Sequence, residues 1–382
     1  MTPFSVNLPS NRKKMLRGFW LFNLSIVLLL NVSGQELILN REDILTEVKS
    51  GLRSIYNYQF DNARKSLEFI QKHAPDHPAG IFFESLIIYW ENYPLTLDNP
   101  NTPRFLSLVE ETYKKAEEMQ IHDPDNPEGI FFDLFGRAFY VMFWSDIGKP
   151  GKVYPYLNLL YRQTVKGFEL QKEFNEFSFT TGLYNYYIVK YPENHPAYRA
   201  VALLFRKGDK EYGITRLKFC SQNCVYLRVE ANYYLSLINL KFENNYQKAS
   251  EYASDLYREF PNNPLYTALY AEVLMLTGKY QIAEVLIRNL ERSNNPYASM
   301  NGYILRGYYL EKYENQYTEA FIEYQKGLEM SKSFSDMSKY ETARAYMGIA
   351  RYHQRNKNNS ESSKNFKAAR NITSYGYILN DK

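Results

Sequence analysis

Few residues in this chain have the types and spacing that chemistry requires. The histidines, His73, His77, His122, His195 and His353, are scattered and mostly stand beside Pro or Asp. No HExxH string places two of them on one helical turn around a glutamate, and no GxSxG elbow presents a nucleophile. Gly148-Lys149-Pro150-Gly151-Lys152 has the composition of a phosphate loop but neither the GxxxxGK[ST] spacing nor a strand before it, so it reads as a turn. Cys220 and Cys224, in the loop-like string CSQNC, are too few to close a structural zinc site. In an oxidising compartment they would join if the turn brought their Cα atoms within about 7 Å; otherwise they stay as two half-buried thiols. Glycan cleavage needs two carboxylates on one bond. Asp133 and Asp146 stand thirteen residues apart on one expected helix, about 20 Å by the helical rise. The sequence therefore predicts no catalytic residue, no metal and no cofactor.

The elements that would position any site begin after a leader. Residues 11–17 (NRKKMLR) are basic, 18–30 (GFWLFNLSIVLLL) are largely apolar, and Val32-Ser33-Gly34 supplies small residues before Gln35. That three-part pattern predicts a cleavable signal peptide over 1–34 and export to the periplasm or medium. The apolar run is shorter than the roughly 20 residues of a spanning helix, so no stable membrane span is expected after cleavage. Arg12, Lys13, Lys14 and Arg17 account for the whole excess of 46 basic over 42 acidic residues. Without them the chain is neutral, which removes the electrostatic case for a nucleic-acid partner.

The rest of the chain repeats itself. Asn245-Tyr246-Gln247-Lys248-Ala249, with Pro261 beyond it, returns as Lys279-Tyr280-Gln281-Ile282-Ala283 before Asn295-Pro296. Further copies are Gln316-Tyr317-Thr318-Glu319-Ala320 and Gln59-Phe60-Asp61-Asn62-Ala63 with Pro75. An aromatic opens a helix, a small residue three positions on lets a neighbouring backbone approach, and Pro starts the next helix, where a missing N–H costs little. The interval from Ala283 to Ala320 is longer than that from Ala249 to Ala283, so residues are inserted there. Between 76 and 222 a different echo appears: His77-Pro78-Ala79-Gly80-Ile81-Phe82-Phe83-Glu84 recurs as Asn126-Pro127-Glu128-Gly129-Ile130-Phe131-Phe132-Asp133. Residues 94–103 (PLTLDNPNTP) form the clearest inserted loop. The expected helices are 42–58 and 60–73, 78–93 and 103–120, 127–146 and 151–173, 177–205 with an interruption near Pro192, 209–219, 224–243 and 245–260, 263–277 and 279–293, 296–314 and 316–331, and 339–356 and 359–371.

These segments resemble the tetratricopeptide repeat (TPR) family. Tyr233, Leu237, Tyr246, Ala249 and Pro261 stand on its signature positions, as do Thr267, Ala271, Gly278, Tyr280, Ala283 and Ile287. Tyr346, Ile349, Ala350, Ser362, Phe366 and Ala369 repeat the match. The patch Phe179 to Tyr187 with Gly208 to Gly213 is similar to the central part of some exported bacterial repeat proteins. The resemblance implies an all-α fold, an α-solenoid coiled as a right-handed superhelix of about eight TPR-like helix pairs. Its expected parts are divergent repeats over 35–222, C-terminal repeats over 223–373 and a tail over 374–382. Stacked repeats present one helix of each pair on a concave face. Tyr234, Glu272, Tyr309, Arg344 and Arg351 are the candidate ligand-binding residues there, the two arginines being suited to a carboxylate or an acidic peptide. The implied function is a non-enzymatic scaffold that binds a protein or peptide. The alternative is a helical toroid acting on glycans, which would show a closed aromatic pocket holding two acids.

Overall fold

The computed structural model describes residues 37–194 and 198–381. The leader expected over 1–34 and His195 lie outside the described residues. Among the described residues the chain is helical and carries no strand. The helices are α1 Glu42–Tyr56, α2 Phe60–His73, α3 Pro78–Glu91, α4 Thr102–His122, α5 Pro127–Asp146, α6 Tyr154–Leu170, α7 Phe177–Asn194, α8 Arg199–Ala202 and α9 Lys210–Asn223. They continue as α10 Arg228–Lys241, α11 Tyr246–Glu259, α12 Pro264–Leu276, α13 Tyr280–Glu291, α14 Pro296–Tyr309, α15 Tyr317–Ser331, α16 Lys339–Arg355, α17 Asn359–Ile372 and α18 Gly376–Leu379. Each long helix packs on its sequence neighbour, giving eight pairs in an all-α solenoid, with α7 pairing across α8 to α9.

Local chemistry sets both ends of each pair. In four of the pairs the first helix begins after a side-chain cap followed by proline: His77, Asn126, Asn263 and Asn295 each accept backbone N–H groups of the first turn. The cap satisfies a donor left without an intrahelical partner, and proline sits where it removes no needed N–H. In five pairs the turn to the second helix uses one left-handed residue two positions before that helix: Tyr58, Asn244, Gly278, Asn315 and Lys357, with φ between 51° and 72°. The echo at 77–84 and 126–133 marks two such helix starts, separated more widely because α4 has 21 residues and a loop precedes it. That loop is tied by Asn92, which accepts from Asn99 and Asn101, and by Thr102, which donates to the Thr96 carbonyl.

Three features depart from the expected map. The helix expected over 177–205 with an interruption near Pro192 is described as two pieces, α7 to Asn194 with Pro192 in its last turn and the short α8, which ends at Ala202. The string CSQNC is the final turn of α9 rather than a loop: the Cys224 N–H donates to the Cys220 carbonyl at 3.0 Å. Finally, the residues inserted before Ala320 form a π-turn, Leu310–Glu314, which carries α14 onward. Gly182 and Gly213, in the distinctive central patch, face each other between α7 and α9. A Cβ at Gly213 would lie 2.8 Å from the Gly182 oxygen, so the two backbones touch there.

The array coils until its start meets its later repeats. The Tyr56 ring lies 5.5 Å from Trp90, 5.6 Å from Phe260 and 6.4 Å from Tyr266, and Tyr93 lies 5.6 Å from Tyr297. Asn263 caps α12 through its oxygen and donates through Nδ2 to the Tyr56 carbonyl at 3.0 Å. Asn295 does the same for α14, donating to the Tyr93 carbonyl at 2.6 Å. One buried apolar cluster consequently runs from Ile38 through Phe131, Leu235 and Val273 to Ile378.

Asn263→Ala is therefore expected to cost about 2–4 kcal/mol, a cap plus an orphaned buried carbonyl. Asn245→Ala, which removes a cap whose only recorded bond is the local one to the Lys248 N–H, is expected to cost about 1 kcal/mol. Urea unfolding of the two variants measures the difference; equal losses would contradict the docking role.

Candidate functional site on the concave face

The inward faces of α10, α12, α14 and α16 lie side by side and are unusually polar for a helix interior. Tyr233, Leu237 and Lys241 come from α10, Leu265 and Glu272 from α12, Asn301 and Leu305 from α14, and Tyr340, Glu341 and Arg344 from α16. They surround a chamber of about 50 Å³, room for a water or two. Arg344 is 4% exposed and donates to Glu272, with Tyr308 and Tyr377 over its guanidinium at 5.0 and 5.6 Å. Lys241 lies 3.9 Å from the Tyr340 ring centre and 5.8 Å from that of Tyr375. These are cation–π contacts in a shielded site, where they are strongest. Burial pushes the Lys241 ammonium down from its ordinary range, against the pull of Glu341 and Glu272.

Two turns further along α16 the charges are more tightly paired. Arg351 donates to both oxygens of Glu311 at 2.7 Å, Arg355 adds a third bond at 2.7 Å and the Tyr324 hydroxyl a fourth at 2.9 Å. Glu311 belongs to the π-turn, so the inserted residue is what aims this carboxylate inward. Burial raises the Glu311 carboxyl, yet Arg351 and Arg355 outweigh it and hold it at about 2. Arg351 also reaches Asp381, at 3.1 Å from its carbonyl and 3.4 Å from its carboxylate. Lys312 and the Tyr308 hydroxyl complete the Asp381 seat at 3.1 and 3.3 Å.

Of the predicted ligand-binding residues, Glu272, Arg344 and Arg351 meet on this face, but each is engaged within the chain. Tyr234 packs edge-on to Phe179, 5.5 Å away, while its neighbour Tyr233 lines the chamber. Tyr309 turns towards Tyr313 and Arg306; Tyr308 is the residue that meets Arg344 and Asp381. A register error of one residue rotates a helical side chain by about 100°. Sequence reading missed the π-turn carboxylate Glu311 and the contribution of residues 375–381; the lengthened repeat interval was the available signal for the first.

Elsewhere, buried polar groups serve the backbone. Glu176 accepts from the Val225 and Leu227 N–H groups at 2.5 and 3.0 Å. Glu128 accepts from the Ile38 N–H at 2.8 Å and lies 3.5 Å from His77. Asp133 pairs with Arg137 at 2.6 Å and accepts from Gln163, whereas Asp146 lies near Lys339 and Asp336, so these two acids do not converge. Cys220 and Cys224 are joined by a disulfide with Cα atoms 4.7 Å apart. Among the described residues no group of three His, Cys, Asp or Glu is placed to hold a metal ion, and no helix is long and apolar enough to cross a membrane.

No known family matches the chain, and no curated protein does. Among solved structures, a monomeric mutant of IFIT1 with Gppp-AAAA is 12% identical, with 82% of this chain and 77% of that chain covered at a TM-score of 0.36. The crystal structure of yeast Tom70 is 13% identical, with 88% and 93% covered at a TM-score of 0.25. Both superpositions are loose; the fold is defined by the helix pairs of this chain.

Two groups of carboxylates give stability opposite dependences on pH. Glu311, depressed to about 2, stabilises the fold above its ordinary value near 4.5, and that contribution is lost as pH falls towards 2. Burial pushes Glu176 and Glu230 up to about 7, so stability falls as pH rises from about 4.5 to about 7. The melting temperature is expected to peak near pH 5, and Glu311→Gln should flatten the acid flank alone. A melting curve rising steadily from pH 5 to 7 would contradict the assignment.

Proposed function

We propose that this chain is a non-enzymatic, exported scaffold that binds a protein or peptide through the concave face of its later repeats. The observation that carries this reading is that the face already accommodates a short chain segment: residues 373–381 lie across α10, α14 and α16, with Tyr377 and Ile378 buried. Helices hold the lining side chains in fixed positions, which suits recognition of a segment more than a closing reaction chamber. A glycan-cleaving toroid is disfavoured because the chamber holds only about 50 Å³ and Glu272, one of its acids, is occupied by Arg344. Export is the reading of the leader over 1–34, and the Cys220–Cys224 disulfide accords with an oxidising compartment.

A photo-crosslinking residue at Tyr340, which lines the groove, is expected to trap a protein partner in the exporting cell. The same residue at Ile322, which is 53% exposed on α15, should trap far less. Equal or greater trapping at Ile322 would sink the concave-face reading. N-terminal sequencing of the exported chain should begin near Gln35; a mature chain starting at Met1 would remove the export reading.

A further inference from the structure

The segment Thr373–Asp381 follows α17 and turns back into the groove instead of leaving the array. Its contacts have the form of ligand recognition. Tyr375 packs edge-on to Phe242 and tilted against Tyr340, with ring centres 5.3 Å away in both cases, and lies over Lys241. Tyr377, 4% exposed, helps line the chamber and covers Arg344; Ile378, 1% exposed, is buried beside it. Asp381 then enters the seat formed by Arg351, Lys312 and Tyr308. Two tyrosines thus cover two cations, and an acid four residues after the second tyrosine is held by two more.

We infer that this segment is an internal mimic of the scaffold's partner. The groove recognises a segment of pattern Tyr-x-Tyr-Ile-x-x-Asp bent into a single helical turn, and the chain's own copy must be displaced before a partner binds. This rests on the concave-face reading above and adds the partner's chemistry and a form of regulation. The receiving cations all come from elements outside the segment: α10 gives Lys241, α16 gives Arg344 and Arg351, and the π-turn gives Lys312. Glu272 and Glu311 keep both arginines oriented when the seat is empty. A segment tethered in this way competes at an effective concentration on the order of millimolar, so only a partner with higher affinity or a second contact displaces it.

The test uses the full chain and a fluorescent peptide of sequence TSYGYILND, read by anisotropy. The variant Tyr377→Ala/Asp381→Lys frees the seat and is expected to bind the peptide at least about 100-fold more tightly than the unaltered chain. Peptides with the second tyrosine changed to alanine, or the aspartate to lysine, should lose that binding. Circular dichroism and a cooperative melt establish that the variant is folded. A folded variant that binds no peptide, or binds the charge-reversed peptide equally well, overturns the inference. If Tyr340 crosslinks to a protein persist in that case, the scaffold reading survives alone. A wild-type chain that sediments as a dimer through exchanged terminal segments would also overturn the internal seat.

Discussion

The structure depends on two asparagine side chains that each serve two backbones at once. Asn263 and Asn295 cap the first helices of consecutive pairs and, from the same amides, donate to the carbonyls of Tyr56 and Tyr93. A repeat array normally has contacts only between neighbours, and its curvature is then a sum of small rotations. Here the first two pairs are tied to the sixth and seventh, so curvature is fixed by long-range bonds rather than by accumulation. The ring contacts of Tyr56, Trp90 and Tyr93 with Phe260, Tyr266 and Tyr297 bury apolar area at the same seam.

Closing the coil turns the concave surface into an interior, and an interior cannot hold unpaired charge. Each cation there meets either a carboxylate or an aromatic face: Arg344 has Glu272 and two tyrosines, Arg351 has Glu311 and Asp381, Lys241 has Tyr340 and Tyr375. Removing one member of such a buried pair costs several times what a surface pair is worth, because the survivor stays desolvated. The π-turn at Leu310–Glu314 follows from the same demand. An uninterrupted α-helix would carry residue 311 along a different direction, and two arginines would lose their shared acceptor.

The helix pairs were readable because their signals are local. Caps, prolines at the first turn, left-handed turn residues and small residues at crossings each act within a few positions, and apart from the divided stretch over 177–205 the helices they predict occur within a few residues of their expected limits. The face of each helix was less readable. Tyr308 and Tyr309, or Tyr233 and Tyr234, offer adjacent identical residues, and only packing decides which one turns inward. The closure of the coil was not readable, since Tyr56 and Asn263 are separated by more than half the chain and carry no charge pattern that marks them as partners. The terminal segment reads only as a tail for a related reason: its tyrosines acquire a role only once Lys241 and Arg344 are brought together from two helices.

The distribution of contacts also decides which part of the groove can yield. On one side the wall is the seam of the first repeats, held by the asparagine bonds and by the rings of Tyr56, Trp90 and Tyr93 against Phe260, Tyr266 and Tyr297. On the other side the cover is a short helix of four residues and the stretch after it, anchored mainly by Tyr377, Ile378 and Asp381. Local opening follows the number of buried contacts broken. The cover can therefore lift without disturbing a helix pair, whereas separating the seam would expose rings from several repeats at once. Local opening is therefore expected first on the side where the charged seats lie, since fewer buried contacts are broken there than at the seam.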